Sequence, residues 1–310
     1  TTLTGSTVTF GGTLGNSTSQ TLDITGNAVF NGTVGAGTAL TSVTVSGTTA
    51  INGGSVNTSG IQTYTGNATL GAATTLTGSV ISFGGTVTGG GFDLTITNSG
   101  AITLALSNIT GVNNFTNNGT GTTTAGGTLT TTGTQAWNNP LTLNADTTLT
   151  GSVISFGGTV TGGGFDLTIT NSGAITLALS NITGVNNFTN NGTGTTTAGG
   201  TLTTTGTQAW NNPLTLNADT TLTGSTVTFG GTLGNSTSQT LDITGNAVFN
   251  GTVGAGTALT SVTVSGTTAI NGGSVNTSGI QTYTGNATLG AATTLTGSTV
   301  TFGGTLGNST

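Results

Sequence analysis

Apolar and polar residues alternate in short runs along the whole chain. Thr7-Val8-Thr9-Phe10, Leu94-Thr95-Ile96-Thr97 and Ile102-Thr103-Leu104-Ala105-Leu106 each send every second side chain to one face. Alternation of period two over four or five positions predicts half-buried β-strands. Gly11-Gly12, Asn31-Gly32 and Asn52-Gly53-Gly54 interrupt the runs and suit tight corners, because glycine reaches positive φ without a steric penalty. The pattern predicts that Leu3, Val8, Phe10, Leu22, Ile24, Phe30, Val43, Val45 and Ile51 point inward. Leu14 and Val34 should join them, while Asp23, Thr25 and the intervening threonines face solvent. No helix is predicted. Gly, Asn and β-branched residues dominate, and there is no Glu or Lys with which to build a helical surface.

A second, longer pattern organises the strands. Thr-Thr-Leu-Thr-Gly-Ser begins at Thr1, Thr74, Thr147, Thr220 and Thr293, at an exact and constant spacing. Residues 1–73 form a unit A and residues 74–146 a unit B. Residues 147–219 repeat B letter for letter, 220–292 repeat A, and 293–310 begin a third A. A fixed period of this kind is the mark of a stacked array. The expected fold is all-β: a right-handed parallel β-solenoid built from these tandem units as one continuous array over 1–310, with coils about 4.8 Å apart. Within A, an apolar-polar-Gly motif recurs at Leu3-Thr4-Gly5, Ile24-Thr25-Gly26, Val45-Ser46-Gly47 and Tyr64-Thr65-Gly66, then at Leu76-Thr77-Gly78. The step between its glycines is nearly even from Gly5 to Gly66 and then shortens sharply to Gly78. The coil count is left between three and four per unit. Either three coils of about 24 residues or four of about 18 would fit. The short last step means that 61–73 is an abbreviated coil or that one motif lies on a different side.

Unit B keeps the frame and changes the filling. Phe83 matches Phe10, Gly133 matches Gly60, and Trp137 matches Tyr64. Asn113, Asn114, Asn117 and Asn118 flank Phe115 and are expected at corners, where stacked amides can bond along a column. Pro140 precedes Leu141-Thr142-Leu143, a tolerated place at a strand start.

Composition removes most chemistry. The chain holds 58 Gly and six Asp, with no Lys, Arg, His, Cys or Met. A Ser-His-Asp triad, a thiol nucleophile, a Schiff-base lysine and an ordinary zinc site are therefore excluded. A glycosidase could work with two carboxylates. Unit A offers only Asp23, which alternation turns outward, and unit B offers Asp93 and Asp146, the latter expected at a corner. Gly89-Gly90-Gly91-Phe92-Asp93-Leu94 is similar to a calcium-binding Gly/Asp nonapeptide, but it occurs once per unit and reads as a turn before a strand. No catalytic, cofactor-binding or metal-ligating residue is assigned, and no cofactor is expected. Without cationic side chains a nucleic-acid partner is not expected, and no apolar run reaches membrane-spanning length. The expected partners are other copies of the chain, laterally and end to end, with a surface polysaccharide second. Ends that fall inside the repeat suggest a window on a longer protein.

Thr-Leu-Thr-Gly-Ser-Thr-Val-Thr-Phe-Gly-Gly-Thr-Leu at 2–14 and Leu-Thr-Leu-Asn-Ala-Asp-Thr-Thr-Leu-Thr-Gly at 141–151 resemble repeat regions of large secreted bacterial proteins. These are the filamentous-haemagglutinin-like exoproteins and autotransporter passenger domains. The resemblance implies a right-handed parallel β-solenoid, exported across an outer membrane and displayed as an adhesin or fibre. The leading expectation is an extracellular, non-enzymatic structural repeat protein at a bacterial cell surface. An alternative is the spacer stalk of an adhesin whose binding site lies elsewhere. A third is a Thr-rich ice- or polysaccharide-binding surface, which requires Thr-X-Thr pairs in register on one flat face.

Overall fold

The computed structural model describes residues 1–309. The chain divides into two compact units, Thr1–Thr159 and Val160–Thr310. Each is a parallel β-solenoid. Among the described residues the only helical segments are the 3₁₀ turns Leu106–Asn108 and Leu179–Asn181.

In the first unit the coils carry strand segments on three sides. Leu3, Ile24, Val45, Tyr64 and Phe83 stack as the inward column of the first side. Val8, Ala28, Thr49, Ala68, Val87 and Ile109 form the second. Leu14, Val34, Val56, Leu76, Ile96, Asn117, Trp137 and Phe156 form the third. Register partners lie one coil apart, from the close pair Thr123 and Leu141 to the wide pair Val87 and Ile109. In-register parallel pairing has a direct consequence: like positions sit above like positions, so apolar residues share one interior. Leu22, Ile24, Phe30, Val34, Val43, Val45 and Ile51 are all buried as the alternation predicts, and Thr25 is exposed. Phe10 and Leu14, on the first coils described, are half-buried. Their counterparts in the second unit, Phe229 and Leu233, are fully buried.

Coil and repeat do not divide evenly, and this settles the short step. Leu76, which opens copy B as Leu3 opens copy A, does not stack in Leu3's column. It lies on Val56, on the third side. Leu149, which opens the next copy, pairs with Leu129. That strand, Thr123–Thr130, packs on Ile109–Thr110 of the second side. A unit such as 1–73 is therefore neither three long coils nor four short ones. It is three coils plus two of the three sides, and the same hexapeptide opens on a different side in each of three successive copies. The three sides must then be equivalent hosts. Gln62 and Gln135, matched by the repeat, confirm it from different sides. Gln62 Nε2 donates to Val56 O and Thr77 O at 3.0 and 2.7 Å, and Gln135 Nε2 donates to Leu129 O and Thr150 O at 3.1 and 2.9 Å.

Two expectations need correction. Asn117 is not at a corner. It is fully buried in the strand Phe115–Gly119, donating to Asn98 Oδ1 at 3.0 Å and accepting from Thr123 Oγ1 at 2.7 Å. Asn139 Nδ2 donates to the same Asn98 oxygen at 2.8 Å. Buried amides tolerate this interior because neighbouring coils supply their partners. Nor do all threonines face outward: Thr49, Thr58, Thr74, Thr123, Thr131 and Thr147 are buried. Asp146 is exposed, but the corner around it is made without leaving the strand Leu141–Gly151. The register slips between Ala125–Leu143 and Gly127–Thr147, and the additional length bends the strand.

The second unit repeats the first of these columns across its A copy and the A fragment that follows. Leu222, Ile243, Val264, Tyr283 and Phe302 stack in order. Aromatic pairs on adjacent coils recur in both units. Tyr64–Phe83 and Tyr283–Phe302 centroids are 5.6 and 5.3 Å apart, and Phe115–Trp137 and Phe188–Trp210 are 4.9 and 4.8 Å apart. Such pairs add about 0.5–1.5 kcal/mol beyond the area they bury.

Candidate functional site

In each B copy the alternation is interrupted by a 3₁₀ turn, and the surface changes there. In Ile102-Thr103-Leu104-Ala105-Leu106-Ser107-Asn108-Ile109 the apolar step is two, two and then three. The extra residue folds as the 3₁₀ turn, with Leu106 plugged into the interior and Ser107 turned outward. Ser107 Oγ accepts the Thr128 amide of the next coil at 3.0 Å. After the short strand Ile109–Thr110, Gly111 takes φ +63° to turn the chain. The result is an open groove of about 370 Å³, with Ile109, Thr110, Gly111 and Val112 on one coil and Thr128, Thr130, Thr131 and Thr132 on the next. The second B copy builds the same groove in the second unit. It measures about 290 Å³ and is lined by Ile182, Thr183, Val185, Thr201, Thr203 and Thr205 among others.

Beside the groove the chain makes a polar corner. Gly91 N donates to Gly111 O at 2.7 Å, and Asn113 N donates to Phe92 O at 3.0 Å, so Phe92 and Asp93 lie one coil before the groove wall. Phe92 is 39% exposed. Asp93 Oδ1 accepts from Asn113 Nδ2, Asn114 N and Asn114 Nδ2 at 2.8, 3.0 and 2.9 Å. Thr132 Oγ1 donates to Asn113 Oδ1 at 2.9 Å. The second copy repeats this with Asp166 and the amides of Asn186 and Asn187. Partial burial pushes the Asp166 carboxyl up, but the hydrogen bonds from Asn187 and Asn186 outweigh it and hold the group below the usual carboxylate range. The turn expected at Gly89–Asp93 is thus present, with its carboxylate serving the corner.

Three Asp, His, Cys or Glu residues come together nowhere among the described residues. The hydroxyls and amides present can donate and accept hydrogen bonds. Threonine ranks are real but not confined to one face. On the third side Thr75, Thr95 and Thr116 stand in line beside Thr77 and Thr97. On the second side Thr128 and Thr130 align with Thr148 and Thr150, and on the first Thr103 and Thr124 align with Thr142.

Sequence reasoning assigned no site residue and passed over the groove. Its one signal was the three-residue apolar step at Leu106–Ile109. Comparison with family models, with curated proteins and with solved structures gives no match. The fold defines a class: a β-solenoid repeat protein. No helix among the described residues is long and apolar enough to cross a membrane.

Proposed function

We propose that the chain is a structural repeat segment of an extracellular fibre, sheath or stalk, of the filamentous-haemagglutinin-like kind that its repeats resemble. The observation that carries this reading is the interchangeability of the units. Copies A and B have equal length and advance the coil phase equally, and the junctions A–B, B–B, B–A and A–A all occur in the sequence. Such units extend a scaffold by addition, with no need for a unique active surface. The exterior supports the same reading: six Asp are the only charged side chains, and threonines form ranks on all three sides of the first unit. A single ice-binding face would have concentrated them.

Three and two-thirds coils per unit make each added unit worth about 18 Å of length. Arrays of four, six and eight units, measured by small-angle scattering and negative-stain microscopy, are expected to lengthen in that proportion at constant width. A width that grows with unit number would overturn the scaffold reading. Antibody labelling of intact and permeabilised cells tests the location, and labelling only after permeabilisation would reject an outer-surface role.

A further inference from the structure

Both B copies build the same groove beside the 3₁₀ turn, and its lining differs from that of the concavity of about 420 Å³ that copy A forms between Asn27, Ala28 and Val29 on one coil and Thr48, Thr49 and Ala50 on the next. We propose that the groove of unit B is a binding site for a neutral polysaccharide, and that unit A is the spacer between such sites.

The chemistry of the lining selects the ligand. A sugar ring presents an apolar C–H face bordered by hydroxyls that both donate and accept. The groove offers the same mixture in complement. Ile109 and Val112 are buried and form its apolar floor, while Thr110, Thr128, Thr130 and Thr132 are exposed along it. The Thr128 and Thr130 hydroxyls form no hydrogen bond to any described residue, so they are available to a ligand as donor and acceptor. Phe92, on the preceding coil, adds an exposed aromatic ring, a flat platform on which a C–H face can rest.

Charge narrows the class further. No cationic side chain exists anywhere in the chain, and the carboxylate of Asp93 stands at the neighbouring corner. A uronate or sulfated chain would meet that negative charge with nothing to offset it. A neutral glycan meets no such penalty. Unit A lacks the ensemble. The repeat aligns Phe92 and Asp93 with Ser19 and Gln20 of unit A, and Ile109 and Thr110 with Ala36 and Gly37.

Affinity electrophoresis of the full chain through gels containing neutral β-glucan tests this, alongside titration with cellohexaose followed by tryptophan and backbone NMR signals. The expected result is retardation in the β-glucan gel, with none in a gel containing alginate. Replacing Phe92 and Phe165 together by Ala should weaken binding at least tenfold. Replacing Thr130 and Thr203 by Val, which keeps the shape, should weaken it several-fold. Circular dichroism should show both variants folded, with the melting temperature unchanged for the exposed Thr130 and Thr203 and modestly lowered for the ring truncations, since Phe92 is 39% exposed and Phe165 is half-buried. Equal retardation by alginate, no retardation by neutral glucan, or full binding by both folded variants would each overturn the proposal. None of these outcomes bears on array length, so the scaffold reading stands or falls separately.

Discussion

Copies A and B follow one another in the first compact unit, share a length and advance the coil phase equally, and differ in what fills them. Along the third side, copy A supplies Leu14, Val34 and Val56, an aliphatic column. The same column continues into copy B as Leu76, Ile96, Asn117 and Trp137. An amide ladder thus replaces aliphatic packing without a change in backbone register. The difference teaches that the ladder of backbone hydrogen bonds sets position, while the interior need only match volume and satisfy its polar groups. Outside, the tolerance is greater still: B spends one residue on a 3₁₀ turn and lines its groove with Ile109 and Val112, whereas the concavity of A is lined by Ala28, Val29 and Ala50.

The comparison is broken most directly at the large side chains. Phe30→Ala in copy A and Phe115→Ala in copy B each remove a fully buried ring from a stacked column. Each should cost about 3–5 kcal/mol, read from denaturant midpoints. Equal losses would mean equivalent columns; a loss confined to one copy would mean that the frames are not shared.

Alkali should separate the copies next. Burial pushes the Tyr64 and Tyr283 hydroxyls up, and both belong to A copies, whereas B carries tryptophan at the matching place. The unfolded tyrosine ionises near its ordinary value of 10.0 and the folded one only above it. The stability these groups contribute is therefore complete below pH 10 and declines as pH rises beyond, by about 1.4 kcal/mol per pH unit for each. Unfolding monitored from about pH 5 to 12 should be flat to about pH 9 and then fall. Tyr64→Phe with Tyr283→Phe should abolish the fall, and its persistence would rule the assignment out.

The smallest effects carry opposite signs. Asn117→Ala strands the amide network of Asn98 and Thr123 and should cost about 1–3 kcal/mol. In copy A the buried Thr49 hydroxyl has no hydrogen-bond partner, nor does its counterpart Thr268. Thr49→Val with Thr268→Val should be neutral or raise stability by about 1 kcal/mol in thermal scans. A clear loss on Thr→Val would indicate that a bound water satisfies the hydroxyl.

Much of the fold was legible in the chain itself. Alternation around each glycine placed Leu22, Ile24, Phe30 and Val45 inside and Thr25 outside, because a pleated strand offers only two faces and one of them is buried here. Gly89–Asp93 read correctly as a turn before the strand Leu94–Asn98. Pro140 likewise precedes the strand Leu141–Gly151. The groove was not legible, since it needs residues of two coils, Ile109 and Thr130, that only stacking brings together.

What the sequence determined alone is the period-two strand pattern, the exact repeat opened by Thr-Thr-Leu-Thr-Gly-Ser and the absence of Lys, Arg, His and Cys side chains. Those are properties of neighbours along the chain and of composition. What the tertiary structure decided is which residues lie above which. Leu76 could have stacked in the column of Leu3, as its identical surroundings in sequence suggest, but it lies on Val56. Asn117 could have faced solvent at a corner, but Asn98 and Thr123 meet it inside. The physical reason is the same for both. A solenoid coil closes where its corners and backbone ladder allow, as it does between Thr123 and Leu141 or between Val87 and Ile109, and no whole number of such coils fills a unit such as 1–73. Local sequence therefore specifies the strand, and the closure of the coil specifies its side.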